Sequence, residues 1–457
     1  MLRINTLENS IPVKERWSNR ALFRLIWPLI IEQILTVSMG AADTLMISPA
    51  GEYAMSGVNI IFNINQLLFM VFIAMTTGGA VVCSQYIGRR DYNNSRLASK
   101  QLVYITTLVS LIITILALLF RQFVIVLFYG KLESDVMGAA MTYFLFTALT
   151  YPLLAIYHAS AALFRSDGNS RTPMKVSVLM NITHIGGNAI FLYGFGMGIT
   201  GLGLSNLLSR SVSAMILLVI LVKKRDSPVS LSGLLKIKII PEMMKRILNI
   251  GVPAGVESSM FQFGRLLTQR IFPVFGTSII AANAVASTIT TFYYMTANAY
   301  VVAIVTIVGQ CIGAGDYEDA KKYFSRIIKL TRITVILICS LLFICRVPLI
   351  GIFNLSPEAA SAAKSYLAVI LGFSCLAWAS SFVTPAALRA TGDAKFVMVA
   401  GSVSMWTIRV SLAYILTFAV GMGPIGVWVA MGCDFAVRGI FFTLRWKRGR
   451  WQNIRVI

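Results

Sequence analysis

The sequence predicts an all-α integral membrane protein: twelve transmembrane helices in two parallel six-helix bundles related by pseudo-two-fold symmetry. Three observations predict it. The chain of 457 residues is 57% hydrophobic and only 13% charged, whereas an ordinary soluble domain runs about 45–50% apolar and about 25% charged. Its Lys and Arg gather in alternate connections between long apolar runs. The sequence also repeats itself at a shift of 225 residues, so that Pro28 and Glu32 fall on Pro253 and Glu257.

Taken in order, residues 1–21 are polar and lack the apolar core of a cleavable signal, so the first span is expected to remain as an anchor. Runs of about 20 or more mainly apolar residues cross about 30 Å of hydrocarbon as helix. In the first half they fall at 23–46, 58–83, 104–129, 138–163, 175–195 and 199–222. In the second half they fall at 248–272, 282–308, 329–354, 363–388, 398–420 and 423–444. The basic stretch from Lys223 to Arg246 reads as the linker between an N-terminal bundle, 1–225, and a C-terminal bundle, 226–457.

The formal charge of +22 would suggest nucleic acid as partner in a soluble chain. Position decides otherwise. Of the 40 Lys and Arg, 31 lie in the N-terminal arm (Arg3, Lys14, Arg16, Arg20, Arg24), in every second connection and in the tail. The connections between hold only Lys131 and Lys364, with Arg121, Arg270 and Arg346 near span ends. This is the positive-inside pattern of a multi-pass protein of the inner (plasma) membrane with both termini cytoplasmic. The expected partners are the bilayer and a small molecule, not nucleic acid, and the expected state is a monomer. Six scattered Cys and two His disfavour a disulfide framework and a His/Cys metal site alike; no cofactor is expected.

The repeat is more than one short match. Gln85, Gly88, Asp91 and Tyr92 fall on Gln310, Gly313, Asp316 and Tyr317; Gly196, Gly198 and Gly201 fall on Gly421, Gly423 and Gly426. With a one-residue slip, Arg165 and Gly168 meet Arg389 and Gly392. Six helices per half is an even number, so both halves enter the membrane in one direction, a transporter plan with its substrate site between the halves near the midplane. Enzymatic activity is not expected.

Ionisable groups within spans are costly and are functional candidates by default. The acids are Glu32, Asp43, Glu257 and Asp434; the bases are Arg210, Arg265, Arg409 and Arg438. Asp434 and Arg438 are spaced to pair on one helix face, acid first. Glu32 and Glu257 hold matching depths near mid-membrane, where a carboxylate suits a cation or proton, and Arg409 or Arg210 is available as counter-ion. Asp43, eleven residues beyond Glu32, lies on the same face about 16 Å further along, near the outer end of its span. His158 and His184 are lone histidines in apolar helices. Met260 to Phe263, which includes Gln262, and Phe292 to Met295, which includes Tyr294, offer adaptable apolar and aromatic surface for an organic substrate, alongside Gln33 and Arg409.

The duplicated plan, with Ala42-Asp43-Thr44, Gln85-Tyr86-Ile87-Gly88, Arg165 to Met174, Gly251 to Phe261 and Trp406 to Val410, resembles the multidrug and toxic compound extrusion (MATE) family over nearly the whole chain. The resemblance implies antiport, in which Na⁺ or H⁺ enters while an amphipathic, often cationic, organic compound leaves. It implies ion coupling at Asp43 and Glu257; Glu32, whose depth matches that of Glu257, is an additional candidate on position alone. His184 and Asn188 stand where some relatives carry an Asn and an Asp on the fifth helix. No metal is implied beyond a Na⁺ at Asp43 or Glu257. The alternative reading is a lipid-linked oligosaccharide flippase, whose cavity Arg210, Arg265 and Arg409 would serve. A major-facilitator transporter lacks support in the Gly88 to Tyr92 connection, and a membrane acyltransferase lacks a His with a closely spaced acid.

Overall fold

The structure is a computed structural model that describes residues 17–457. The arm residues Arg3, Lys14 and Arg16 lie outside the described residues. No strand occurs among the described residues. The first half contributes α1 (Asn19–Ile47), α2 (Glu52–Gly88), α3 (Tyr92–Leu119), α4 (Ser134–Ser166), α5 (Arg171–Gly194) and α6 (Gly198–Lys223). The second contributes α7 (Pro241–Gln269), α8 (Thr277–Gly313), α9 (Tyr317–Ile344), α10 (Pro357–Ala390), α11 (Ala394–Ala419) and α12 (Ile425–Lys447).

Eleven of these helices are long and apolar enough to cross a membrane. The exception is α7, which has 29 residues but carries Glu242, Lys245, Arg246, Glu257 and Arg265. It occupies the place expected for the seventh span.

The duplication is visible in the element bounds. Both α2 and α8 run 37 residues, about 55 Å of helix at 1.5 Å per residue. Such helices outreach a hydrocarbon core of about 30 Å. Both α3 and α9 run 28 residues and begin on an Asp N-cap: Asp91 accepts from the Asn94 amide at 3.1 Å, and Asp316 from the Asp319 amide at 2.9 Å. These caps correct the expected third and ninth spans. Helix starts at Tyr92 and Tyr317, so Arg96, Lys100, Lys321 and Arg326 belong to the first turns of helices and not to connections. Both helices then break, at Phe120 and Cys345, before the short helices Arg121–Tyr129 and Arg346–Gly351.

Packing repeats as well. In the first half α4 packs on α2, α3 and α6, while α5 packs on α1 and α6. In the second half α10 packs on α8, α9 and α12, while α11 packs on α7 and α12. The halves meet through α2 on α7, its counterpart α8 on α1, and α2 on α8. Where α2 and α8 cross, the Gly88 Cα abuts the Gln310 carbonyl and the Gly313 Cα abuts the Gln85 carbonyl, and a Cβ at either glycine would collide with backbone. Reciprocal contact of this kind, i on j′ and j on i′, is the mark of a two-fold relation. The segment 224–240 is pinned to α3 by Tyr104 Oη donating to the Leu234 carbonyl and Gln101 Nε2 to the Lys238 carbonyl, both at 2.6 Å.

Candidate functional site

The acids expected inside the helices fall into two environments. Near the far end of α1, Asp43 is 8% exposed and meets two fully buried side chains of α5. His184 Nε2 lies 2.5 Å from Asp43 Oδ1, and Asn188 Nδ2 donates to the same oxygen at 3.0 Å. On the other side of the ring, His184 Nδ1 lies 3.2 Å from Ser209 Oγ of α6, whose hydroxyl donates to the Asn206 carbonyl at 3.0 Å. Thus the structure brings together Asp43, His184 and Asn188, three of the expected site residues. Ser209 is a further member, which no sequence signal marked. Beside it, Arg210 Nε donates to Asn206 Oδ1 and its guanidinium lies 5.3 Å from the Phe69 ring centroid.

Glu32 and Glu257 form the second environment, and here the expected counter-ions were wrong. Neither Arg409 nor Arg210 pairs with them. Arg165, in the last turn of α4, bonds Glu32 through Nη2; Arg389, in the last turn of α10, bonds Glu257 through Nη2 at 2.7 Å. The reason is reach: a long guanidinium side chain at a helix end extends inward to a carboxylate one helix away. The pair recurs in the second half, the glutamates at the repeat offset and the arginines one residue short of it, so the duplicated Arg165 and Arg389 motifs were the available signal. Two more reciprocal bonds lie beside them, with Gln85 Nε2 donating to the Ala390 carbonyl at 2.8 Å and Gln310 Nε2 to the Ser166 carbonyl at 2.6 Å. Each crosses from one half to the other.

Other expected residues lie apart from Asp43. Gln33 Oε1 accepts from Asn298 Nδ2 at 3.0 Å, joining α1 to α8. Tyr294 stacks on Tyr293 with centroids 4.6 Å apart and meets Trp378 and Phe382 edge-on. Arg409, 6% exposed, stands in the π-helical turn Met405–Val410 of α11 and directs Nη2 to Met431 Sδ at 2.9 Å. Met260, Gln262 and Met295 are half-buried. The Asp434–Arg438 pair expected from spacing is absent among the described ion pairs: Asp434 Oδ1 accepts from Ser404 Oγ at 2.6 Å, and Arg438 lies over Phe382 at 4.8 Å.

With this geometry in view, the sequence model of the MatE family matches residues 28–190 and again 253–415, one match per half at the repeat offset. The chain belongs to the MatE family. It is 26% identical to an uncharacterized transporter, YisQ, of Bacillus subtilis over 94% of both chains. It is also 26% identical to the probable multidrug resistance protein NorM of Thermotoga maritima, covering 100% of this chain and 98% of that one. A MATE crystal structure in the bent conformation superposes with a TM-score of 0.88 over 94% of this chain and 95% of that one, at 19% identity. This MatE protein is therefore a multi-pass membrane transporter of a multidrug efflux family with small-molecule substrates, and the match does not favour the flippase alternative.

Proposed function

We propose that this chain is a proton-driven antiporter that exports amphipathic organic compounds across the plasma membrane. In this reading it works as a monomer of two parallel six-helix bundles, 1–225 and 226–457, with both termini cytoplasmic. The observation that carries the choice of ion is the contact between Asp43 and His184. With the Ser209 hydroxyl donating to the Asn206 carbonyl, its lone pair faces His184 Nδ1, and in this reading that nitrogen carries the ring hydrogen. One further proton then sits in the Nε2 to Oδ1 contact, shared between an acid and a base. Without it, a ring lone pair and a carboxylate oxygen would face each other at 2.5 Å, and α1 would have to move off α5.

That is the property coupling requires, because a ligand shifts a conformational equilibrium only by its differential affinity for the two forms. The proton holds α1 against α5 and α6; its loss releases them. Na⁺ suits the site less well, since hard cations take oxygen ligands, and Asp43 Oδ1 already faces two nitrogens. Glu257 and Glu32 carry less of the coupling in this reading, since each is held by an arginine that stays charged throughout. The positive-inside rule makes the Arg- and Lys-rich end cytoplasmic. It is also the end at which Gln85, Gln310, Gly88 and Gly313 seal the halves together.

The test is efflux of a preloaded dye from proteoliposomes under a pH gradient or a Na⁺ gradient, imposed separately. The pH gradient alone should drive it, and Asp43→Asn should lower the rate about tenfold or more, the scale of one lost charge-assisted contact. Efflux driven by Na⁺ alone would reject the proton assignment.

A further inference from the structure

The second half holds a cluster of guanidinium groups that the proton site does not use. Arg409 of α11 and Arg438 of α12 both face the ring of Phe261 on α7, at 5.0 and 5.2 Å from its centroid. Their guanidinium carbons are thus at most about 10 Å apart. Arg265, four residues along α7 from Phe261, is exposed, and all three arginines act electrostatically on Tyr294. The acid within electrostatic reach of Arg409 is Asp434, whose Oδ1 accepts from Ser404 while its Oδ2 is buried without a partner. Two buried cations, with exposed Arg265 beside them, against one carboxylate leave positive charge uncompensated inside a membrane protein, where buried charges are ordinarily paired.

The donors are uncompensated too. Arg438 is 4% exposed, yet its Nε and Nη2 are buried without a hydrogen-bond partner, and so is Nη1 of Arg409. A buried guanidinium without acceptors is costly, and the forked donor geometry of arginine matches carboxylate and phosphate oxygens. Around these donors stand the aromatic faces of Phe261, Phe382 and Tyr294. We infer that Arg409, Arg438 and Arg265 form an oxyanion site in the second half, which takes the carboxylate or phosphate of an aromatic amphipath. Resting on the transporter reading, this makes the substrate class anionic or zwitterionic and assigns the aromatic cluster to the body of the molecule.

Binding at equilibrium tests this without any gradient, so a failure of proton coupling leaves the result readable. The full chain, purified into phosphatidylcholine nanodiscs, is titrated against carboxyfluorescein and against rhodamine 123, an anion and a cation on similar xanthene bodies, with anisotropy as readout. Carboxyfluorescein should bind more tightly. Arg438→Gln and Arg409→Gln should each weaken it about tenfold or more, Arg438→Lys should weaken it less, and Arg225→Gln, at an exposed position of the linker, should leave it unchanged. Monodisperse elution of each variant separates lost binding from lost fold. Repeating the titration with phosphatidylglycerol separates two sources of the oxyanion: competition assigns the site to a lipid phosphate, and indifference assigns it to the substrate. Preferential binding of rhodamine 123, or carboxyfluorescein affinity unmoved in both Gln variants, would overturn the inference.

Discussion

At the scale of single residues, the acids differ in what their partners can do with a proton. Arginine holds Glu32 and Glu257 as fixed ion pairs, whereas histidine can exchange a proton with Asp43. His184→Gln keeps a nitrogen donor beside Asp43 but removes the proton acceptor. It should lower pH-driven efflux about tenfold or more while leaving expression intact, on the scale of a lost general base; dye efflux with quantitative blotting checks it. Glu257→Gln should behave differently, because it strands Arg389. A loss of about 3 kcal/mol is expected for breaking such a buried pair, with recovery in Glu257→Gln combined with Arg389→Gln; denaturation in detergent checks both. The trio of Asp43, His184 and Asn188 was legible through resemblance. The partners of Glu32 and Glu257 were not, because the arginines come from helix ends distant in sequence. The i,i+4 spacing of Asp434 and Arg438 misled because Ser404 and the Phe261 and Phe382 rings offered tertiary alternatives.

At the scale of elements, apolar runs located every long helix but placed two of them poorly. Hydropathy centres a span on its most apolar stretch, while the helix starts where its first amides are capped, at Asp91 and Asp316. Nor does composition reveal π turns. The three in α5 and α11 widen the helix at Ala189–Gly194, Met405–Val410 and Ile415–Ala419, and such turns often mark functional sites. The crossing of α2 on α8 rests on glycines that meet backbone. Gly88→Ala or Gly313→Ala should each cost about 1–3 kcal/mol by overpacking, whereas Gly186→Ala, with open space around it, should not destabilise. Thermal melting of the three variants distinguishes them.

At the scale of the whole molecule, the duplication was the most legible property. It recurs in helix lengths, in the packing partners of α4 and α10, and in both Glu–Arg pairs. Which groups compensate one another across the bundles was not legible, because the second half departs from the symmetry by gathering arginines. The proposed orientation predicts that an engineered cysteine at exposed Arg225 resists an impermeant thiol reagent added to intact cells, whereas one at exposed Lys131 reacts. Proton exchange at Asp43 and His184 remains the central claim, and proton counterflow tests it most directly. Proteoliposomes containing the purified chain and a trapped pH dye, in Na⁺-free buffer, are given a substrate gradient and no initial pH difference. Substrate movement should drive protons the opposite way, seen as a pH change that Asp43→Asn and His184→Gln abolish. Substrate movement at the normal rate with no pH change in the unmodified protein would contradict the account.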